Sequence, residues 1–104
     1  MKKIDVLTLK AKIDKKEIFT LLDVREPHEL AVAKIDPHTH IAMGSIPMRH
    51  QELEKGKPII VMCHSGGRSA QVCHYLEQRG YDVSNLEGGI DAWSQLVDQS
   101  VPRY

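Results

Sequence analysis

The chain has 104 residues, of which 41% are hydrophobic and 27% charged, and its 14 basic residues balance 14 acidic ones. This is the composition of one globular domain, residues 1–104, with a single core. The balanced charge provides no basic stripe for nucleic acid, and no apolar run approaches the ~20 residues of a membrane span.

Ile4 to Leu7 reads as a short first strand. Thr8 then stands as a cap for a helix with Leu9 and Ile13 facing inward and Lys10, Lys12, Lys15 and Lys16 facing water. Ile18 to Val24 is rich in branched and aromatic residues and reads as a strand. Pro27 opens a short helix through His28, Glu29, Leu30 and Val32. Asp36-Pro37 favours a turn, and His40 to Ala42 is a short strand. Ser45 is placed to cap a helix that carries Ile46, His50 and Leu53 at i, i+4, i+7. Lys55-Gly56-Lys57-Pro58 ends it.

The stretch from Pro58 to Gly80 organises the rest. Ile59 to Met62 is an unbroken apolar run, the mark of a strand buried on both faces. Cys63 to Arg68 is a polar, glycine-bearing turn. From Ser69 to Arg79, the residues Ser69, Val72, Cys73 and Leu76 fall on one helical face, and Gly80 is a C′ stop. Asp82 to Leu86 is a fifth strand. Gly88-Gly89 leads into a last helix with Ile90, Trp93 and Leu96 on one face, and Val101 to Tyr104 is a tail. Strands alternate with helices, which predicts a three-layer α/β/α fold around a mostly parallel five-stranded sheet. Ligands of such sheets bind outside the carboxyl ends of the strands. Asp23-Val24-Arg25, Ala42 to Ser45, Cys63 and Glu87-Gly88-Gly89 are all expected at that edge.

A thiol therefore sits where a buried strand ends and a helix begins. The first helical turn has free N–H groups and a partial positive charge, and a glycine-bearing loop can add further N–H groups to form an anion nest. Such a site favours the thiolate, the nucleophilic form. Gly66 and Gly67 are expected to supply positive φ and close approach. Arg68 adds a cation at the rim. Asp23 and Arg25, at a strand end, read as an ion pair or hydrogen-bond anchor near the loop.

Cys63 and Cys73 stand ten residues apart, one at the top of the helix and one along it, so no disulfide between them is expected. Cys73 reads as a small core residue. The start, Met-Lys-Lys-Ile-Asp, lacks the apolar core of a secretory signal, and with two unpaired cysteines this leads us to expect a reduced, cytoplasmic setting. The six histidines follow no recognised ligand spacing, so no metal is expected. His50 reads as a satisfied, half-buried histidine, His64 as either a loop residue or an acid, base or local cation, and Trp93 as core.

Four segments together resemble a single-domain rhodanese, a sulfurtransferase, over nearly the whole chain. They are Asp23-Val24-Arg25-Glu26 with Glu29, Met43-Gly44-Ser45-Ile46-Pro47, the loop Cys63-His64-Ser65-Gly66-Gly67-Arg68-Ser69, and Leu86-Glu87-Gly88-Gly89-Ile90-Asp91-Ala92-Trp93. The resemblance implies a parallel sheet of order 3-2-4-5-1. It implies that Cys63 takes a sulfane sulfur from thiosulfate or another donor, holds it as a persulfide and passes it to cyanide, a thiol or a partner protein. The N–H groups from His64 through Ser69 would then cradle the persulfide, with Arg68 at the rim. No organic cofactor or metal is implied. Val101-Pro102-Arg103-Tyr104 is similar to the end of rhodanese domains that accompany sulfur-carrier activation, which adds a sulfur-relay protein to the small-molecule partners.

The related phosphatases use a longer Cys-x5-Arg loop. Here Cys63 to Arg68 is Cys-x4-Arg, a narrower cradle suited to one terminal sulfur better than to a phosphoryl group. Dedicated thiosulfate enzymes often carry Arg or Lys directly after the cysteine. This chain has His64, an imidazole in place of a permanent cation, so a persulfide donor is as well matched as thiosulfate. The region Lys34 to Ala42 also lacks the glycine that many relatives carry before the third strand. The two alternatives to sulfur transfer are a binding module without turnover and, ranked below it, a small Cys-dependent phosphatase.

Overall fold

A computed structural model describes all residues from Met1 to Tyr104. The strands are β1 (Lys2–Ile4), β2 (Thr20–Asp23), β3 (Thr39–His40), β4 (Ile59–Met62) and β5 (Val83–Leu86). The helices are α1 (Val6–Asp14), α2 (Pro27–Val32), α3 (Ile46–Arg49), α4 (Gly67–Glu77) and α5 (Gly89–Leu96). The sheet order is β1-β5-β4-β2-β3 with every neighbouring pair parallel, as the resemblance implied.

Strand parity divides the core into two layers. Leu22, Ile59, Val61 and Val83 face one side, where α4 covers them with Val72, Cys73 and Leu76. Leu21, Ile60, Met62 and Leu86 face the other, under Val6 and Leu9 of α1 and Ile90 and Trp93 of α5. All four residues of β4 are buried, as a strand sandwiched between helices requires. Burying each large aliphatic side chain contributes about 1.5–3 kcal/mol before chain entropy is subtracted.

Several boundaries differ from the sequence reading. The first strand is Lys2–Ile4 and not Ile4 to Leu7, because Asp5 starts α1: its carboxylate accepts the Thr8 N–H at 2.8 Å. Thr8 therefore lies inside the helix, and Leu7 faces water. β2 is shorter than Ile18 to Val24; its pairing with β4 begins at Thr20, and Ile18 is exposed. β3 occupies Thr39–His40 and not His40 to Ala42.

The segment after it is not one helix. A 3₁₀ turn at Met43–Ser45, α3 and a second 3₁₀ turn at His50–Glu52 follow one another, and Ser45 makes no side-chain cap bond. Ile46 and Leu53 are buried as expected, but two inward residues do not make the continuous stripe that holds a regular helix on a core. His50 is half-buried and hydrogen-bonded to the Tyr81 hydroxyl at 3.0 Å. In α5, Leu96 is exposed and not inward, since it lies about 240° round the helix from Ile90.

α4 starts two residues earlier than its apolar face suggests. It closes with Gly80 at φ +89, where Gly80 N–H donates to Glu77 and Tyr81 N–H to Leu76. That pair of bonds is a Schellman stop, and it bears out Gly80 as the C′ residue.

Candidate active site

β4 ends at Met62, and the next residue, Cys63, continues the parity that points at α4. The thiol is buried at the base of the loop between β4 and α4. Gly66 stands at φ +113, so the chain doubles back and α4 aims its first N–H groups at the sulfur. The Gly66 N–H donates to Cys63 Sγ at 3.1 Å, the Ser69 N–H at 3.4 Å, and the Ser69 hydroxyl lies 3.3 Å away. Burial pushes the thiol pKa up, but the Ser69 hydroxyl and the N–H groups of Ser69, Gly66 and Ser65 outweigh it, so the net displacement is downward. Cys73, on the same helix, has no such donors, and burial pushes it up to about 12. Both cysteines are free.

The two loop glycines are not equivalent. Only Gly66 has positive φ; Gly67 is the first residue of α4, and a Cβ there would meet nothing within 4 Å. The expectation of positive φ at Gly67 is thus corrected. Gly66→Ala is expected to cost about 1–2 kcal/mol through the left-handed backbone and to slow reactions at Cys63. Gly67→Ala should be neutral, or stabilising by up to about 1 kcal/mol, in the helix. Denaturant unfolding and the alkylation rate of Cys63 check both. Equal effects of the two substitutions would contradict the assignment of the turn to Gly66.

A second glycine turn supports the loop from below. Gly89, at φ +57, begins α5, whose Ile90 and Asp91 N–H groups donate to the Cys63 and His64 carbonyls at 3.0 and 3.1 Å. A Cβ on Gly89 would lie 2.4 Å from both carbonyl oxygens. Gly89 is thus required by its close approach to the cysteine loop, and Gly88, at φ +80, by Ala92 of α5, whose Cβ would lie 2.5 Å from an added Cβ.

Arg68 is not a free cation. Its guanidinium makes a bidentate pair with Glu29 on α2, at 2.7 and 2.8 Å. Glu29 in turn accepts the Tyr104 hydroxyl at 3.0 Å and donates nothing. Arg68 pulls the Glu29 carboxyl down to about 2 against the opposing effect of burial, and the Glu26 backbone and Tyr104 hydroxyl assist. A carboxyl lowered from its ordinary 4.5 stabilises the fold fully above that pH and loses its contribution as the pH falls toward about 2. The stability difference between the unaltered chain and Glu29→Gln is therefore expected to shrink over that window, as measured by denaturant midpoints at a series of pH values. A difference that stays constant with pH would contradict the pairing.

Asp23 and Arg25 form a fully buried ion pair, with Arg25 Nη2 2.8 Å from Asp23 Oδ2. The remaining Arg25 donors reach the Ala33 carbonyl and the Tyr104 hydroxyl, both at 2.7 Å. The tail is not loose. Arg103 pairs with Asp91 at 2.9 Å, and the Tyr104 ring stacks on His64 with centroids 4.3 Å apart. His64 Nε2 stands 4.0 Å from Asp91.

Cys63, Ser65, Gly66, Arg68 and Ser69 thus form one loop around the sulfur, with His64 on its outer wall and Asp23–Arg25 beneath the rim. Gly89 lies at the edge where the sequence places it, whereas Glu29, Asn85 and Tyr104 are not among the site residues expected from sequence. Glu29 carries a signal as a motif residue and Tyr104 as part of the Val101–Tyr104 resemblance; Asn85 carries none beyond being a polar residue in a buried strand. No three His, Cys, Asp or Glu side chains are grouped to hold a metal ion. No helix is long and apolar enough to cross a membrane.

The rhodanese-like domain family model matches residues 5–96. The protein YtwF of Bacillus subtilis is 43% identical over 93 residues, which are 89% of this chain and 90% of that one. A sulfurtransferase of Allochromatium vinosum is 40% identical over 93 residues, 88% of this chain and 87% of its own. The crystal structure of a rhodanese-like domain protein from Staphylococcus aureus superposes with a TM-score of 0.88 at 34% identity, covering 100% of this chain and 99% of that one.

Proposed function

The chain belongs to the rhodanese-like sulfurtransferase family, and from that premise we propose that it carries sulfane sulfur on Cys63 as a persulfide. The observation that supports this reading best is the convergence of the Gly66 and Ser69 N–H groups on the Cys63 sulfur. A thiolate so held attacks the outer sulfur of thiosulfate. The S–S bond of the donor breaks, sulfite leaves with the electron pair, and Cys63 carries the extra sulfur as a persulfide anion. A persulfide donor reacts in the same way and releases its thiolate. An acceptor (cyanide, a thiol or a sulfur-relay protein) then attacks the terminal sulfur and returns Cys63 to the thiolate. His64, Ser65, Gly66, Gly67, Arg68 and Ser69 line the cradle, and their N–H groups stabilise the anion throughout. Asp23 and Arg25 hold the rim. The chemistry needs no metal or organic cofactor.

With Arg68 neutralised by Glu29 and an imidazole after the cysteine, a dianion finds little unpaired positive charge here. We therefore rank a persulfide donor above thiosulfate. The domain, residues 1–104, would act in the cytoplasm, where thiols stay reduced. Intact mass after incubation with each donor tests the reading. Gain of one sulfur atom, removed by cyanide or a thiol, is the expected result. No gain with either donor would leave a binding module, and turnover of an aryl phosphate would favour phosphatase chemistry.

A further inference from the structure

Ser69 and Asn85 are both buried; Ser69 contacts the Cys63 sulfur directly, and Asn85 reaches it only through Ser69 and Gly66. Asn85 sits on β5 beside Val61 of β4, so its side chain projects to the same face as Cys63. Its Nδ2 lies 3.2 Å from the Gly66 carbonyl. A carbonyl can only accept, so that contact fixes the amide and leaves Oδ1 toward Ser69, 2.5 Å from the hydroxyl. Ser69 has one proton to give. Two acceptors compete for it: Asn85 Oδ1, and Cys63 Sγ at 3.3 Å.

We propose that Asn85 is a positioning residue that competes with the Cys63 sulfur for the Ser69 proton. In the thiol state, Cys63 S–H donates to Ser69 Oγ and the Ser69 O–H donates to Asn85. When the S–H bond breaks, its proton goes to solvent base and the electron pair stays on sulfur. The Ser69 O–H then turns from Asn85 to the thiolate. The turn leaves Asn85 Oδ1 without its donor, a cost borne only by the thiolate state. Asn85 thereby keeps the thiolate from being stabilised too far. A thiolate of very low basicity is a poor attacking group, so the competition preserves nucleophilicity toward a sulfur donor. This rests on Cys63 being the reacting thiol.

The other charged and titratable groups coupled to the sulfur are Arg68, with its partners Glu29 and Tyr104, and Cys73 along α4; His64, with Asp91, lies on the outer wall of the loop. None of these is substituted in the test, and the Gly66 contact that Asn85→Leu also removes is separated out by the Ser69→Ala background. The experiment is the pH dependence of Cys63 alkylation by iodoacetamide, located by peptide mass, with no sulfur donor present. Asn85→Leu is expected to free the Ser69 proton for sulfur and raise the ionisation constant of Cys63, read from the alkylation midpoint, by about threefold to tenfold. Ser69→Ala is expected to lower it by a similar factor. In the Ser69→Ala background, Asn85→Leu should change nothing, because no proton remains to compete for.

An unchanged or lowered ionisation constant in Asn85→Leu overturns the proposal. So does an equal effect with Ser69 absent, which would point to the Gly66 contact instead. Asn85→Val serves if the leucine variant does not fold. In the unaltered chain, the isotope-labelled Asn85 side-chain amide should shift through the same midpoint as alkylation; a flat response also overturns it. Because no sulfur is transferred in these measurements, their failure is distinct from failure of the sulfur-carrier reading, which the mass gain decides separately.

Discussion

Cys63→Ser is expected to reduce sulfur transfer to background, a loss of at least ~10³-fold, while the chain stays folded. A hydroxyl in place of the thiol fits the same site. It can accept the Gly66 and Ser69 N–H groups that now point at sulfur, so stability should change by no more than about 1 kcal/mol. What is lost, on the proposed mechanism, is the reacting atom. An alkoxide is far less accessible at neutral pH than a thiolate, and no other thiol can replace it. Cys73 is buried, and its pKa stands near 12, so the protonated form dominates. Steady-state transfer to cyanide, together with circular dichroism of the variant, checks the prediction. Retained turnover in a folded Cys63→Ser chain would remove Cys63 from the chemistry.

Arg25→Met is expected to be the most damaging change to stability, costing about 3–5 kcal/mol because it strands a buried carboxylate. Native domains of this kind hold only about 5–15 kcal/mol in total. Arg25 is fully buried, and its guanidinium satisfies both Asp23 oxygens, the Ala33 carbonyl and the Tyr104 hydroxyl. After substitution, Asp23 retains only the Arg25 backbone N–H at 3.0 Å. The Asp23→Leu, Arg25→Met double variant should recover much of the loss, since a well-packed apolar pair carries no desolvation cost. Denaturant midpoints for the two singles and the double form the measurement. If Arg25→Met alone melts within about 1 kcal/mol of the unaltered chain, the pair is not a structural anchor.

The fold and the heart of the site were legible because their signals are local. Ile59 to Met62 is apolar without interruption, so its burial on both faces could be read directly. Ser69, Val72, Cys73 and Leu76 mark the inward face of α4, and all four are buried. Gly80 announces the end of that helix. Element starts were less legible where two residues could cap, as with Asp5 and Thr8. Around Ser45 an i, i+4, i+7 pattern of two apolar residues and a histidine resembles a helix face, while Tyr81, far along the chain, captures the His50 carbonyl at 2.7 Å. Leu96 is apolar but lies off the inward face, so apolar character alone does not fix which way a residue of α5 points.

The sequence by itself determined where the thiol stands: at the end of a buried strand, behind a glycine that turns the chain, under the first N–H groups of a helix. These features depend on neighbours along the chain and on the backbone freedom of single residues. Only the tertiary structure decided what surrounds that thiol. Arg68 meets Glu29 across 39 residues, Arg25 meets Tyr104 across 79, and Ser69 meets Asn85 across 16. The parallel sheet, with β5, β4 and β2 side by side, makes these contacts possible by bringing the strand ends and the segments that follow them to one edge. Charge at the rim is therefore a property of the assembled sheet: Arg68 is a cation in the sequence and half of a neutral pair in the fold.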